Sequence, residues 1–130
     1  MPKILVIEDD VAYRAMLTEA LHEAGYAVLA AENGDEGIKL CRQHHCPLVV
    51  TDIFMPEKEG LETIRELKQD FPTLKIIAIS GGGFRSHYAI TSGAENALAA
   101  AQAFGANRTL FKPFEIQHLL NLVDELLKEI

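Results

Sequence analysis

Leu48-Val49-Val50-Thr51-Asp52-Ile53-Phe54-Met55-Pro56 is a β-branched apolar run that delivers a carboxylate to its C-terminal end, just before a proline that stops the strand. Such a carboxylate is aimed at solvent from a rigid element. Three other runs end in the same way: Glu8 and Asp9 follow Lys3 to Ile7, Ser80 follows Lys75 to Ile79, and Lys112 follows Arg108 to Phe111. Four strand ends thus supply acids, a hydroxyl and an amine. With a further strand at Ala27 to Ala31, and the run above read as a strand over Leu48 to Thr51, five short strands alternate with amphipathic segments. That alternation predicts five βα units in an α/β, doubly wound parallel sheet of flavodoxin-like order 2-1-3-4-5, with helices on both faces.

Helical spacing supports the segments between. Met16, Leu17, Ala20, Leu21 and Ala24 form one stripe, closed by Gly25 as an αL stop. Asn33 caps a helix through Ile38 and Cys41, Leu61, Ile64, Leu67 and Phe71 give a third stripe, and Ile116, Leu119, Leu120, Val123 and Leu127 a last one. The remaining helix, about Ala94 to Phe104, is alanine-rich and weakly amphipathic.

The chain has 130 residues, 48% of them hydrophobic, which is the size of one domain with a sizeable core, so residues 1–130 are read as a single unit. Its net charge of -7 argues against a nucleic-acid surface, which needs a basic stripe. The N-terminus runs directly into a short strand, and no stretch approaches a membrane span, so a cytoplasmic location is expected. Cys41 and Cys46, at a helix end and in a loop, suit reduced thiols better than a disulfide. With His44 and His45 they could be taken for metal ligands, but four donors within six residues do not easily surround a tetrahedral ion, and a solvated helix end is the simpler reading.

In the order 2-1-3-4-5 the crevice lies at the carboxyl ends of strands one and three, where Glu8, Asp9 and Asp52 converge. Three anions in one cleft repel, which raises the pKa of at least one unless a cation intervenes. Mg²⁺ suits, because it takes one or two carboxylates and fills its remaining positions with water and phosphate oxygens. Asp52 can then act as a nucleophile toward phosphorus, with Lys112 offsetting charge and Ser80 donating a hydrogen bond. An aspartyl phosphate formed there adds charge and acceptors that could draw Ser80 inward, making the site a switch.

At these residues the chain resembles the receiver domain of two-component response regulators along its entire length. The resemblance rests on Ile4-Leu5-Val6-Ile7-Glu8-Asp9-Asp10, on Asp52 with Met55-Pro56 and Gly60, on Ser80-Gly81, on Gly105-Ala106 and on Lys112-Pro113-Phe114. It implies Asp52 as the phosphoacceptor, Asp9 as a direct Mg²⁺ ligand, Glu8 as a ligand through water, and the Phe54 carbonyl as a further ligand. It also implies that Ser80 and Lys112 hold the phosphoryl group and that Lys112-Pro113 is cis. The expected function is a stand-alone receiver, not an enzyme, that takes phosphate from a sensor histidine kinase or a phosphotransfer protein. With nothing after Ile130 for output, it would signal through an unknown protein target or relay the phosphate, the contact face being the fourth helix, fifth strand and fifth helix.

Two features depart from the family. Thr109 stands where members commonly have the aromatic of the activation switch. The connection after strand four is also unusually long, the surplus lying at about 81–93, where Phe84, Arg85, His87 and Tyr88 form an aromatic and basic cluster that could contact a partner or cover the phosphorylation site. A degenerate receiver acting as a passive interaction domain is the alternative that Thr109 favours. An aspartate-nucleophile phosphohydrolase uses similar groups but wants a second acid two residues after the nucleophile, where this chain has Phe54.

Overall fold

The computed structural model describes residues 2–53, 60–80, 99 and 101–130. Its strands are β1 (Lys3–Ile7), β2 (Ala27–Ala31), β3 (Leu48–Asp52), β4 (Lys75–Ser80) and β5 (Arg108–Phe111). They form one parallel sheet in the order β2-β1-β3-β4-β5, as expected. The helices are α1 (Val11–Glu23), α2 (Gly34–His44), α3 (Gly60–Asp70) and the C-terminal α4 (Ile116–Lys128). Of the helix expected at about 94–104, residues 99 and 101–104 are described and helical.

Alternation along the strands divides the core in two. Ile4, Val6, Val50, Ile77 and Ile79 pack with Leu17 and Leu21 of α1 and Leu119, Val123 and Leu126 of α4. Leu5, Ile7, Val49, Ile76 and Ala78 pack on the other face with Ile38 and Cys41 of α2 and Ile64 and Leu67 of α3. The central strands β1, β3 and β4 are buried on both faces, which is why they read as unbroken apolar runs, whereas β2 and β5 lie at the edges and are partly exposed.

Local signals fall where expected, with three shifts. The Asp10 and Asn33 side chains cap α1 and α2, accepting the Tyr13 and Glu36 N–H groups at 2.9 Å, and Gly25 ends α1 at φ 102°. The buried side of α1, however, runs through Tyr13, Leu17 and Leu21, leaving Met16 and Ala24 exposed. Cys41 and Cys46 are free thiols but both are buried, so the solvated reading holds only for His44 and His45. Burial raises both thiol pKa values, Cys46 to about 11 with help from Cys41. Finally, β3 and β4 each run one residue further than predicted: Asp52 pairs with Ile79 and Ser80 with Phe111, so both side chains are fixed by the sheet ladder itself. Phe54 and the segment at 81–93, with Phe84 and Tyr88, lie outside the described residues.

Candidate functional site

The carboxyl ends of β1, β3, β4 and β5 bring five predicted residues together. Glu8 continues the edge of β1, its N–H donating to the Ala31 carbonyl at 3.0 Å, and Arg14 of α1 donates to the Glu8 carbonyl at 2.8 Å. Asp52 is the last residue of β3. The start of α3 is tied back to the end of β3 by the Gly60 N–H, which donates to the Ile53 carbonyl at 3.1 Å. A Cβ on Gly60 would collide with the Asp52 carbonyl oxygen and the Ile53 Cα, so the first residue of α3 has to be glycine for this backbone to pass. The Lys112 N–H donates to the Ser80 carbonyl at 3.1 Å, which carries the lysine to the crevice just after β5, and the following Lys112-Pro113 bond is cis as expected.

One ligand oxygen from each of Glu8, Asp9 and Asp52 can be chosen so that all lie within 4.8 Å of one another. Glu8 and Asp52 are both 1% exposed, while Asp9 is half-buried. Between them sits the Lys112 ammonium, which donates to Glu8 Oε1 at 2.9 Å and to Asp52 Oδ2 at 3.0 Å. Burial, then the charge of Asp52, push the Glu8 carboxyl up to about 7, against the pull of Lys112. Burial works to lower the Lys112 pKa, but the charge of Asp52 and the hydrogen bonds to Glu8 and Asp52 outweigh it, so the ammonium is held above its ordinary value. Ser80 Oγ is buried and, among the described residues, has no hydrogen-bond partner. A buried hydroxyl in that condition is a donor in waiting for an acceptor in the crevice.

The sequence and the fold of the chain are matched by known proteins. A family model described as the response regulator receiver domain matches residues 4–124. The chain belongs to that family. It is 33% identical to the response regulator receiver protein CpdR of Brucella abortus over 127 residues, covering 98% of each chain. It is 32% identical to the chemotaxis protein CheY of Bacillus subtilis, over 96% of this chain and 97% of that one. Among solved structures, a CheY-like receiver domain from Methanospirillum hungatei superimposes with a TM-score of 0.85 at 26% identity, covering 99% of this chain and 95% of that one. The protein is therefore a receiver domain, a signalling domain of two-component systems, which operate with histidine kinases.

Receiver domains use Mg²⁺ at an acidic pocket, and the residues here fit it. The donors are all oxygen, three carboxylates converge, and Glu8 is a buried acid whose pKa is raised first by burial and then by the charge of Asp52, a charge that a cation would offset. Among the described residues no helix is long and apolar enough to cross a membrane. One participant escaped the sequence reading. The Tyr13 ring lies under Lys112, with Nζ 3.9 Å from its centroid, and meets Phe114 edge-on at 6.2 Å between centroids. Its position three residues after the Asp10 cap places it on the first turn of α1, a signal that helical spacing carries but that the predicted stripe, starting at Met16, left out.

Proposed function

We propose that Asp52 is the phosphoacceptor of this receiver domain, taking its phosphoryl group from a phosphohistidine on a sensor histidine kinase or phosphotransfer protein. The Asp52 carboxylate attacks phosphorus, the P–N bond breaks, a P–O bond forms, and the imidazole leaves with its electron pair and takes up a proton. The observation that carries this reading is the juxtaposition at one buried strand end of a carboxylate 1% exposed, an ammonium 3.0 Å from it, and on the neighbouring strand a hydroxyl with no partner among the described residues. Lys112 moves its hydrogen bond from the carboxylate to a phosphoryl oxygen, and Ser80 donates to another. Glu8, Asp9, Asp52 and the Phe54 carbonyl would hold Mg²⁺, which when bound supplies charge neutralisation for the acids and the incoming phosphoryl oxygens.

The domain works as a stand-alone cytoplasmic module spanning 1–130, an acceptor and not an enzyme with turnover of external substrates. Its output passes by protein contact through the face of β5 and α4. A groove there is lined by Thr109, Phe111, Pro113, Phe114 and His118, and Phe111 is 38% exposed, which suits a protein partner better than solvent. The segment at about 81–93, with Phe84 and Tyr88, is the further partner contact of this reading, on its aromatic and basic sequence alone. Thr109, half-buried opposite Ala78, cannot swing a ring inward, so the response runs through Ser80 and its segment. The test is intact mass after incubation with Mg²⁺ and acetyl phosphate. One phosphoryl adduct is expected, lost without Mg²⁺ and in Asp52→Ala; a native chain that binds Mg²⁺ yet takes no adduct would instead be a passive interaction domain.

A further inference from the structure

We propose that Tyr13 is a positioning residue for Lys112, its ring face holding the ammonium in the crevice while the ammonium changes oxygen partners. The inference rests on the phosphoacceptor reading above and deepens it. Three close contacts among the described residues hold the Lys112 ammonium: Glu8 Oε1 at 2.9 Å, Asp52 Oδ2 at 3.0 Å, and the Tyr13 ring at 3.9 Å. The two carboxylates are the groups that Mg²⁺ and the phosphoryl group engage, so both hydrogen bonds are lost or weakened when the site is loaded. The ring contact is not competed for in this way, because a π face attracts a cation but is a poor partner for an anionic oxygen or a hard metal.

The ring is itself fixed. It stands on the first turn of α1, immediately after the Asp10 cap, and its packing is braced by Phe114, whose ring meets it at 77°. Phe114 is two residues from Lys112, so ring and ammonium are anchored to one short segment across the crevice from α1. The lysine side chain is only 16% exposed, and at that degree of desolvation a cation over an aromatic face gains more than at a solvated surface. The phenol hydroxyl has no part in this. The quadrupole of the ring carries it, which separates Tyr13→Phe from Tyr13→Met: phenylalanine keeps the π face, whereas methionine keeps apolar bulk without it.

Two readouts on the full chain test the proposal. The first is the NMR shift of the Lys112 ε-methylene, assigned by comparison with Lys112→Met. Ring current should move it upfield in the native chain and in Tyr13→Phe, and return it to the ordinary lysine position in Tyr13→Met. The second is the rate of phosphorylation by acetyl phosphate at saturating Mg²⁺. Tyr13→Met should be slowed roughly 2- to 30-fold, the range a partly buried cation–π contact converts to, with Tyr13→Phe rescuing most of the loss. An ordinary Lys112 shift in the native chain would overturn the placement. A displaced shift with Tyr13→Met phosphorylated at the native rate, or with Tyr13→Phe slowed as much as Tyr13→Met, would overturn the role. If the native chain takes no phosphate at all, the phosphoacceptor reading falls, and the methylene shift still decides whether the ring holds the lysine.

Discussion

Replacing Glu8 by glutamine should make the metal-free domain more stable at alkaline pH, although it removes one of the proposed metal ligands. Glu8 is 1% exposed, and its carboxyl ionises near 7 against an ordinary value of 4.5, with burial the largest cause and Asp52 the next. The gap corresponds to about 3 kcal/mol of cost for holding Glu8 ionised in the folded state. Below about pH 4.5 both folded and unfolded chains keep the proton, and no cost appears. Between about 4.5 and 7 only the folded chain keeps it, so stability falls as pH rises; above about 7 both have lost it and the full cost stands. Glutamine is neutral throughout and still offers Lys112 an oxygen, but it can leave the Asp10 N–H, now 3.1 Å from Glu8 Oε2, without its acceptor, a loss of about 1 kcal/mol. Urea unfolding in EDTA should therefore show Glu8→Gln about 2 kcal/mol more stable than the native chain at pH 8.5, and within about 1 kcal/mol of it at pH 5. The difference should close in excess Mg²⁺, which stabilises the native chain by binding the folded state. A native chain with the same pH slope as Glu8→Gln between 5 and 8, or a mutant less stable at pH 8.5, would refute the electrostatic account.

Three other substitutions separate structure from chemistry. Lys112→Met leaves Glu8 and Asp52 buried without their shared ammonium and should cost about 3 kcal/mol in metal-free urea unfolding at pH 8, since losing one partner of a buried pair strands the other; no measurable loss would mean the acids are solvated. Ser80→Ala should change metal-free stability by less than about 1 kcal/mol, because Oγ has no described partner, yet slow phosphorylation by acetyl phosphate roughly 10-fold or more. A large loss of stability with no loss of rate would reverse that assignment. Gly60→Ala should cost about 2 kcal/mol or more by thermal or urea unfolding, since its Cβ meets backbone that cannot step aside. An unaffected Gly60→Ala would show that the contact between α3 and the end of β3 relaxes freely.

What could be read from the chain before its structure follows from how strongly each feature is over-determined. The central strands declare themselves because burial on both faces demands unbroken apolar runs, and Leu48 to Val50 or Ile76 to Ile79 satisfy nothing else. Asp52, Ser80, Glu8 and Lys112 stand out because each breaks such a run with a polar group at its end. Features set by side-chain contact across elements were harder. Met16 and Tyr13 both fit a helical stripe on α1, and only the docking of α1 on the sheet decides that Tyr13 faces in and Met16 faces out. Cys41 and Cys46 were misplaced for a related reason: flanked by Arg42, Gln43, His44 and His45, they read as part of a polar helix end, but α2 turns Cys41 inward and the αL residue His45 at φ 52° returns Cys46 to the core.

The same buried geometry lets a group that is costly to ionise in the metal-free domain be the part that responds to a cation. In the metal-free site Glu8 and Asp52 share the Lys112 ammonium with Asp9 close by, and burial together with the charge of Asp52 raises the pKa of Glu8. Any cation that enters recovers that cost, so affinity for Mg²⁺ should fall below pH 7 as Glu8 takes up its proton, and binding at pH 6.5 should release a fraction of a proton per site. Titration calorimetry in two buffers of different ionisation enthalpy measures that release directly. Proton release absent at pH 6.5 but Mg²⁺ still bound would place the ion on Asp9 and Asp52 alone and leave Glu8 as the partner of Lys112. Release lost in Glu8→Gln would put Glu8 inside the coordination of the ion or one water away, and would identify its charge as the quantity the domain exchanges when it is loaded.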